Sequence, residues 1–268
     1  MEEILKDRFT KSVSISSEHV CRYITEPFSQ GSLFIVLEEE SSSVELDIDV
    51  KENAQLKVFI YNKAVNPMTG DLHVTVGRDA YCQFALLDME AVPFRFKQVV
   101  TLDQPGAEFE VSTAQLCLKN CEKKGDIEVR HCAANTKGEI KNFAVLMNKG
   151  SYDMVANGNI KKGCVDAASH QATRVLTLGK GHKARVIPLL LIDENEVKAS
   201  HALTIGQPND EQLYYLQSRG LTNQQAIGLL SVGYFLPVLK LIEDEELRTK
   251  LQAEMEIKVG LYGQQSDS

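Results

Sequence analysis

The chain has 268 residues, enough for one large domain or a domain with an appendage, and its 43% hydrophobic and 25% charged residues make an ordinary globular composition. A net charge of −8 disfavours nonspecific attraction to nucleic acid or to anionic lipid. No apolar run approaches the roughly 20 residues of a membrane helix, and the start, Met1-Glu2-Glu3-Ile4-Leu5-Lys6-Asp7-Arg8, carries acids where a signal peptide carries bases. A cytoplasmic chain is therefore expected.

Residues 1–30 read as an N-terminal arm, with a short helix or frayed segment at Met1–Arg8. From about Gly31 to Gly206 the pattern is that of strands. Apolar and polar residues alternate in Gln55–Tyr61, Asp71–Val76, Glu108–Val111 and Asp126–Arg130, which is the period of a half-buried strand. Corners are expected at Gln104-Pro105-Gly106, Lys123-Lys124-Gly125, Asn135-Thr136-Lys137-Gly138, Asn148-Lys149-Gly150 and Asn157-Gly158-Asn159, because glycine and asparagine tolerate positive φ. Many short strands without a long helical pattern allow a sandwich, a barrel or a β-solenoid. Turn signals recur without hairpin logic and there is one Asn-Gly, so a solenoid core over 31–206 is favoured, although no strict repeat aligns.

After Gly206 the regime is helical, over 207–268. Asn209 or Asp210 caps a first helix that Gly220 stops. Thr222-Asn223-Gln224-Gln225 has the form of a capping box, and Pro237 is expected to break or kink the helix that follows. A third helix starts near Asp244 with Leu247, Leu251 and Met255 on one face. These helices are expected to dock on the end of the solenoid and cover its open edge.

The six cysteines, Cys21, Cys82, Cys117, Cys121, Cys132 and Cys164, form no C-x-x-C and no paired zinc motif. They suit a reducing compartment, and most are expected in the core. Cys132 and Cys164 are 32 apart, which is no clean multiple of a coil of roughly 20–25 residues. His170, His182 and Asp166 meet only if coils align them. Scattered acids and the lack of a G-x-x-x-x-G-K-[ST] loop argue against a carbohydrate-cleaving enzyme and against a nucleotide site.

Three segments carry a resemblance. His131-Cys132-Ala133-Ala134-Asn135-Thr136-Lys137-Gly138 is similar to an H-x-A-x-N-T-x-G element. Val186–Ile192 followed by Glu196-Val197-Lys198-Ala199-Ser200-His201 is similar to a "P-x-L-x-I … V-K-x-S-H" run. Asp210–Gly220 is similar to a D-E-E-Q-L-F-Y-L-x-S-R-G helix. In this order, over about a third of the chain, they resemble the SufB/SufD family of iron–sulfur cluster assembly proteins.

That resemblance implies a mainly β fold, a right-handed parallel β-helix with a C-terminal helical segment. It implies a non-catalytic scaffold role, handling a transient iron–sulfur cluster with none bound tightly. The implied partners are an ABC-type ATPase subunit (SufC-like) and a SufB-like chain or a second copy of this one. The motifs place Thr173 near the cysteine of the SufB branch and Ala202 at its glutamate, so both of those ligands are absent. His201 matches the histidine that the SufD branch keeps at its dimer interface. His201 is accordingly the candidate cluster ligand or interface residue, with Cys132 and Cys164 as weaker metal candidates. Tyr214, Tyr215, Arg219, Leu230 and Phe235 are the candidate partner surface. The alternative is a purely structural SufD-like dimerisation and docking protein that binds no iron.

Overall fold

The computed structural model describes residues 2–16, 19–118 and 120–260. It contains sixteen strands: β1 (Glu2–Leu5), β2 (Arg8–Ile15), β3 (His19–Thr25), β4 (Gln30–Leu37), β5 (Ser43–Val50), β6 (Gln55–Asn62), β7 (Met68–Val76), β8 (Tyr81–Asp88), β9 (Phe94–Leu102), β10 (Glu108–Cys117), β11 (Glu122–His131), β12 (Lys137–Leu146), β13 (Ser151–Ile160), β14 (Ala168–Thr177), β15 (Lys183–Ile192) and β16 (Lys198–Gly206). Three helices follow: α1 (Asp210–Ser218), α2 (Asn223–Leu239) and α3 (Glu245–Lys258). The odd strands form one eight-stranded sheet and the even strands another, and every pairing is between parallel strands one coil apart. The chain is a parallel β-solenoid, two strands to a coil, as expected. No helix among the described residues is long and apolar enough to cross a membrane.

Alternation places one side of each strand inside. Leu46, Ile48, Leu56, Ile60, Val74, Phe84, Val100, Phe109, Val111, Ile127 and Met154 belong to one continuous inner core and are at most 2% exposed. The solenoid turns from odd to even sheet through a column of left-handed residues: Phe28, Asn53, Asp79, Gly106, Asn135 and Asp166, with φ from 49° to 74°. Each of the amides of Asn53, Asp79, Asn135 and Asp166 donates to a carbonyl of the next coil, at 2.8, 3.1, 2.9 and 2.8 Å. The residue after each is small and buried, as in Ala54, Ala80, Ala107, Thr136 and Ala167. Asparagine and aspartate visit this region at the least cost after glycine, so they fill the column.

Several expectations need correction. Residues 2–16 and 19–30 are not an arm, since β1, β2, β3 and the start of β4 belong to the sheets. Lys123-Lys124-Gly125 and Asn157-Gly158-Asn159 are not corners and lie within β11 and β13. Their glycines serve packing instead. A Cβ on Gly125 would stand 2.5 Å from Met154 Cε, and one on Gly158 would stand 2.2 Å from Ser169 Oγ. The coil length is not constant either. Arg22 stacks on Glu2 across 20 residues, whereas Arg185 stacks on Asp153 across 32. That drift hides the repeat.

The helices do not cap the solenoid end. α2 and α3 pack on the outer face of the even sheet, α2 against β8, β10, β12 and β14, while α1 lies against α2. Phe59, Leu87, Leu116 and Val145 on the strands form a second core with Val232, Phe235, Leu239, Leu251 and Met255. The Thr222–Gln225 capping box forms, with Thr222 Oγ1 accepting from Gln225 N at 3.2 Å and Gln225 Oε1 from Thr222 N at 2.9 Å. Gly220 has φ +95 and ends α1. α2 continues through Pro237 to Leu239. Lys57 pairs with Glu243, Tyr61 donates to Glu254, and Lys258 lies 2.6 Å from Glu90, tying the helical layer to the strands. β15 and β16 are left as open edges, with Leu189, Leu191, Leu203 and Ile205 36–49% exposed.

Candidate functional site

The His131–Gly138 element is a corner lock. His131 points inward from the end of β11 and is 0% exposed. Thr136 Oγ1 donates to the Ala133 carbonyl at 3.0 Å and lies 2.8 Å from His131 Nδ1. A hydroxyl has one proton, so Nδ1–H is the donor to Thr136 and Nε2 is left without a protein partner. Burial pushes the imidazole down to about 4. Gly138 makes room for the ring, since a Cβ there would stand 3.0 Å from His131 Nε2. Within the element His131 shapes the turn and is itself withheld from solvent.

Cys132 and Cys164 do come together, because the coil has lengthened to about their separation at this point. Cys164 Sγ–H donates to the His131 carbonyl at 3.1 Å, the carbonyl bonded to the nitrogen of Cys132. Cys132 is exposed and Cys164 buried. Burial raises both thiols, and Asp103 raises Cys132 further against the opposing pull of Lys161 and Arg130. Both shifts disfavour the thiolate form in the metal-free chain. His170 Nδ1 lies 2.8 Å from Ser200 Oγ, and neither His182 nor Asp166 joins it in a ligand set. Among the described residues no group of three or more His, Cys, Asp or Glu is placed to hold a metal ion.

His201 is different. The register runs Val111, Ile140, Gln171, His201 across β10, β12, β14 and β16. The first three are buried at 0, 1 and 4%. His201 therefore occupies an inward position of the last coil, yet it is exposed because β16 ends the even sheet. Below it lies Gln171, whose Nε2 donates to the Leu189 carbonyl at 2.7 Å and whose Oε1 has no protein partner. Ser169, Thr173 and Asn142 continue this polar floor, with Asn142 Nδ2 donating to Thr173 Oγ1 at 3.3 Å. Thr173 is inward and buried, two positions along β14 from Gln171, and Ala202 is exposed beside His201. The open end thus presents one strong nitrogen donor over a buried amide oxygen. Gln171 was not legible as part of this end, because its place depends on the coil length.

The candidate partner surface divides. Tyr214 and Tyr215 are 74 and 56% exposed, and no residue of α1 is buried. Arg219 caps α1 and lies 5.2 Å over the Tyr215 ring, a cation–π contact. Tyr215 and Leu230 line a shallow groove of about 360 Å³ with Asn209, Glu211, Gln212 and Leu216. Phe235 is the exception. It is 0% exposed, inside the core between α2 and the even sheet, and cannot present to a partner.

The described residues thus form a parallel β-solenoid with a helical layer on the outer face of its even sheet and an exposed histidine at its open end. The chain belongs to the SufBD family: the sequence model of "SUF system FeS cluster assembly, SufBD core domain" matches residues 18–234. It is 28% identical over 183 residues to the iron–sulfur cluster assembly protein SufD of Bacillus subtilis (strain 168), covering 68% of this chain and 42% of that protein. It is 39% identical over 192 residues to an iron–sulfur cluster assembly SufBD family protein of Mycobacterium bovis, covering 69% and 48%. A SufBD family protein of Mycobacterium leprae is 27% identical over 192 residues, covering 69% and 49%. The chain spans about half the length of these curated relatives.

Proposed function

We propose that this chain is a non-catalytic scaffold subunit in cytoplasmic iron–sulfur cluster assembly, with nascent cluster as transient cargo. The observation that carries this is His201, held at an inward strand position yet open to solvent above Gln171. A neutral imidazole is a competent iron ligand, and strands hold it more rigidly than a loop would. One nitrogen is not a full set, so a SufB-like chain or a second copy, meeting this one at β15 and β16, supplies the rest. The unpaired edges of both sheets and the exposed Leu189, Leu191, Leu203 and Ile205 give that partner a surface. An ABC-type ATPase subunit docks on α1, over Tyr214, Tyr215 and the groove beside Leu230.

A purely structural role is the second reading. It is favoured by Thr173 and Ala202, which stand where the resemblance would put a thiolate and a carboxylate. Anaerobic reconstitution with ferrous iron and sulfide, comparing wild type with His201→Ala, separates the two. Acid-labile sulfide and visible absorbance that fall in the variant support His201 as ligand. No cluster in either protein, alone or with the partner chain, leaves only the structural role.

A further inference from the structure

Each middle coil is covered above and below by its neighbours. The two terminal coils are finished in opposite ways. In the last coil the inward positions facing the open end include Val186, Pro188 and Leu190 on β15 and His201, Leu203 and Ile205 on β16, none of them an acid, lysine or arginine. In the first coil, Glu3 pairs with Tyr23 and Lys11 with Leu33. Tyr23 and Leu33 are both 1% exposed and point into the core. Glu3 and Lys11 therefore occupy inward positions on opposite sheets, and their side chains meet in a salt bridge across the mouth of the core. Their side chains are still 32 and 31% exposed.

This asymmetry matters because a parallel solenoid is a template for its own continuation. Stacking the first coil of one chain on the last coil of another would extend both sheets with the same polarity. That contact is heterologous and does not close, so it grows without limit. An ion pair at inward positions opposes it, because the new coil would strip water from both charges. Inward-pointing charges are one means by which sheets avoid edge pairing.

We propose that the Glu3–Lys11 pair is a terminator, which bars the first coil from adding to the β15/β16 end of a second copy. Assembly is thereby confined to a closed pairing at the β15/β16 end. The confinement to that end rests on the edge-pairing reading above; the terminator itself does not.

The test is the mass of the full chain by light scattering over a range of concentration, with electron microscopy of the largest species. Wild type is expected to stop at two chains. Glu3→Val/Lys11→Leu is expected to grow past two with concentration and to form rods. Adding Leu203→Lys/Ile205→Lys to that variant should abolish the growth, since head-to-tail stacking needs both ends. Glu3→Gln/Lys11→Met keeps side-chain length, and it stands in if the first pair loses its strand signal by circular dichroism. Either neutral variant holding wild-type mass at every concentration overturns the terminator. Growth that survives the lysines overturns the head-to-tail route. A wild type that stays a single chain, with neutral variants that still form rods, counts against the edge-pairing reading alone.

Discussion

Lys123 Nζ lies 2.7 Å from Asp88 Oδ2, and neither side chain has any exposed surface. The pair sits inside the solenoid at one end of β8 and β11. Lys123 also donates to the Val92 carbonyl at 2.7 Å, and Asp88 accepts from Asn62 Nδ2 at 3.0 Å. Nearly every charged hydrogen-bonding site is therefore occupied, which is the condition under which a buried pair is tolerated. Lys123→Met or Asp88→Leu alone should lower unfolding stability by about 3–5 kcal/mol, since the remaining charge is stranded. The double variant should lose less than the two single losses added together. Urea unfolding of the three proteins reads this coupling.

Phe235 and Tyr214 separate packing from docking. Phe235→Ala should cost about 3–5 kcal/mol by opening a cavity beneath α2. Tyr214→Ala should leave stability within about 0.5 kcal/mol and, if the proposed docking on α1 holds, weaken capture of an ABC-type ATPase subunit. Thermal unfolding beside a binding titration checks both; a Phe235 variant of full stability would contradict the packing assignment.

His131 makes the fold sensitive to mild acid. Its folded-state pKa is depressed to about 4, so on acidification the unfolded chain takes up a proton first. Stability is then lost as pH falls below about 6.5, and between pH 7 and 5 this one group should cost about 2 kcal/mol. The loss should be missing from His131→Gln, measured by denaturant unfolding at the two pH values.

Glycines inside the solenoid and on the helix should respond oppositely to alanine. Gly158→Ala forces a Cβ to 2.2 Å from Ser169 Oγ and should cost about 1–3 kcal/mol. Gly233, exposed on α2, has nothing within 4 Å of the new Cβ. Gly233→Ala should therefore stabilise by about 0.5–1 kcal/mol. Melting temperatures of the two variants, read side by side, give the signs.

The chain's strand content, its change to helix after Gly206 and the caps at Asn209, Thr222 and Asp244 are readable because each rests on local periodicity or on one side chain meeting a nearby amide. The repeat was harder to see. Its marker is a left-handed residue before a small one, Asn53-Ala54, Asp79-Ala80, Gly106-Ala107, Asn135-Thr136 and Asp166-Ala167, and its spacing lengthens along the chain. With that ladder in hand, Gln171 falls beneath His201, and Cys132 and Cys164 fall at one corner. Gly125 and Gly158 mislead for another reason: a glycine required by a side chain of a neighbouring strand or of the opposite wall of the core looks the same in sequence as one required by a turn. Where the helices dock was not local information at all. The outward apolar residues of β6 to β14, among them Phe59, Leu87, Leu116 and Phe143, were the signal, since a solenoid wall facing water has no use for them.

The helical layer also behaves as a splint. α2 crosses four strands of the even sheet, and the Lys57–Glu243 and Tyr61–Glu254 contacts reach β6. A bare stack of coils can unzip from either end, one coil at a time. With rungs β6 to β14 clamped from outside, the middle must open as one block, and fraying is left to the outermost rungs. Amide exchange would then be slow and uniform across the clamped rungs and fast at both ends, with β15 and β16 slowing only when another chain lies against them.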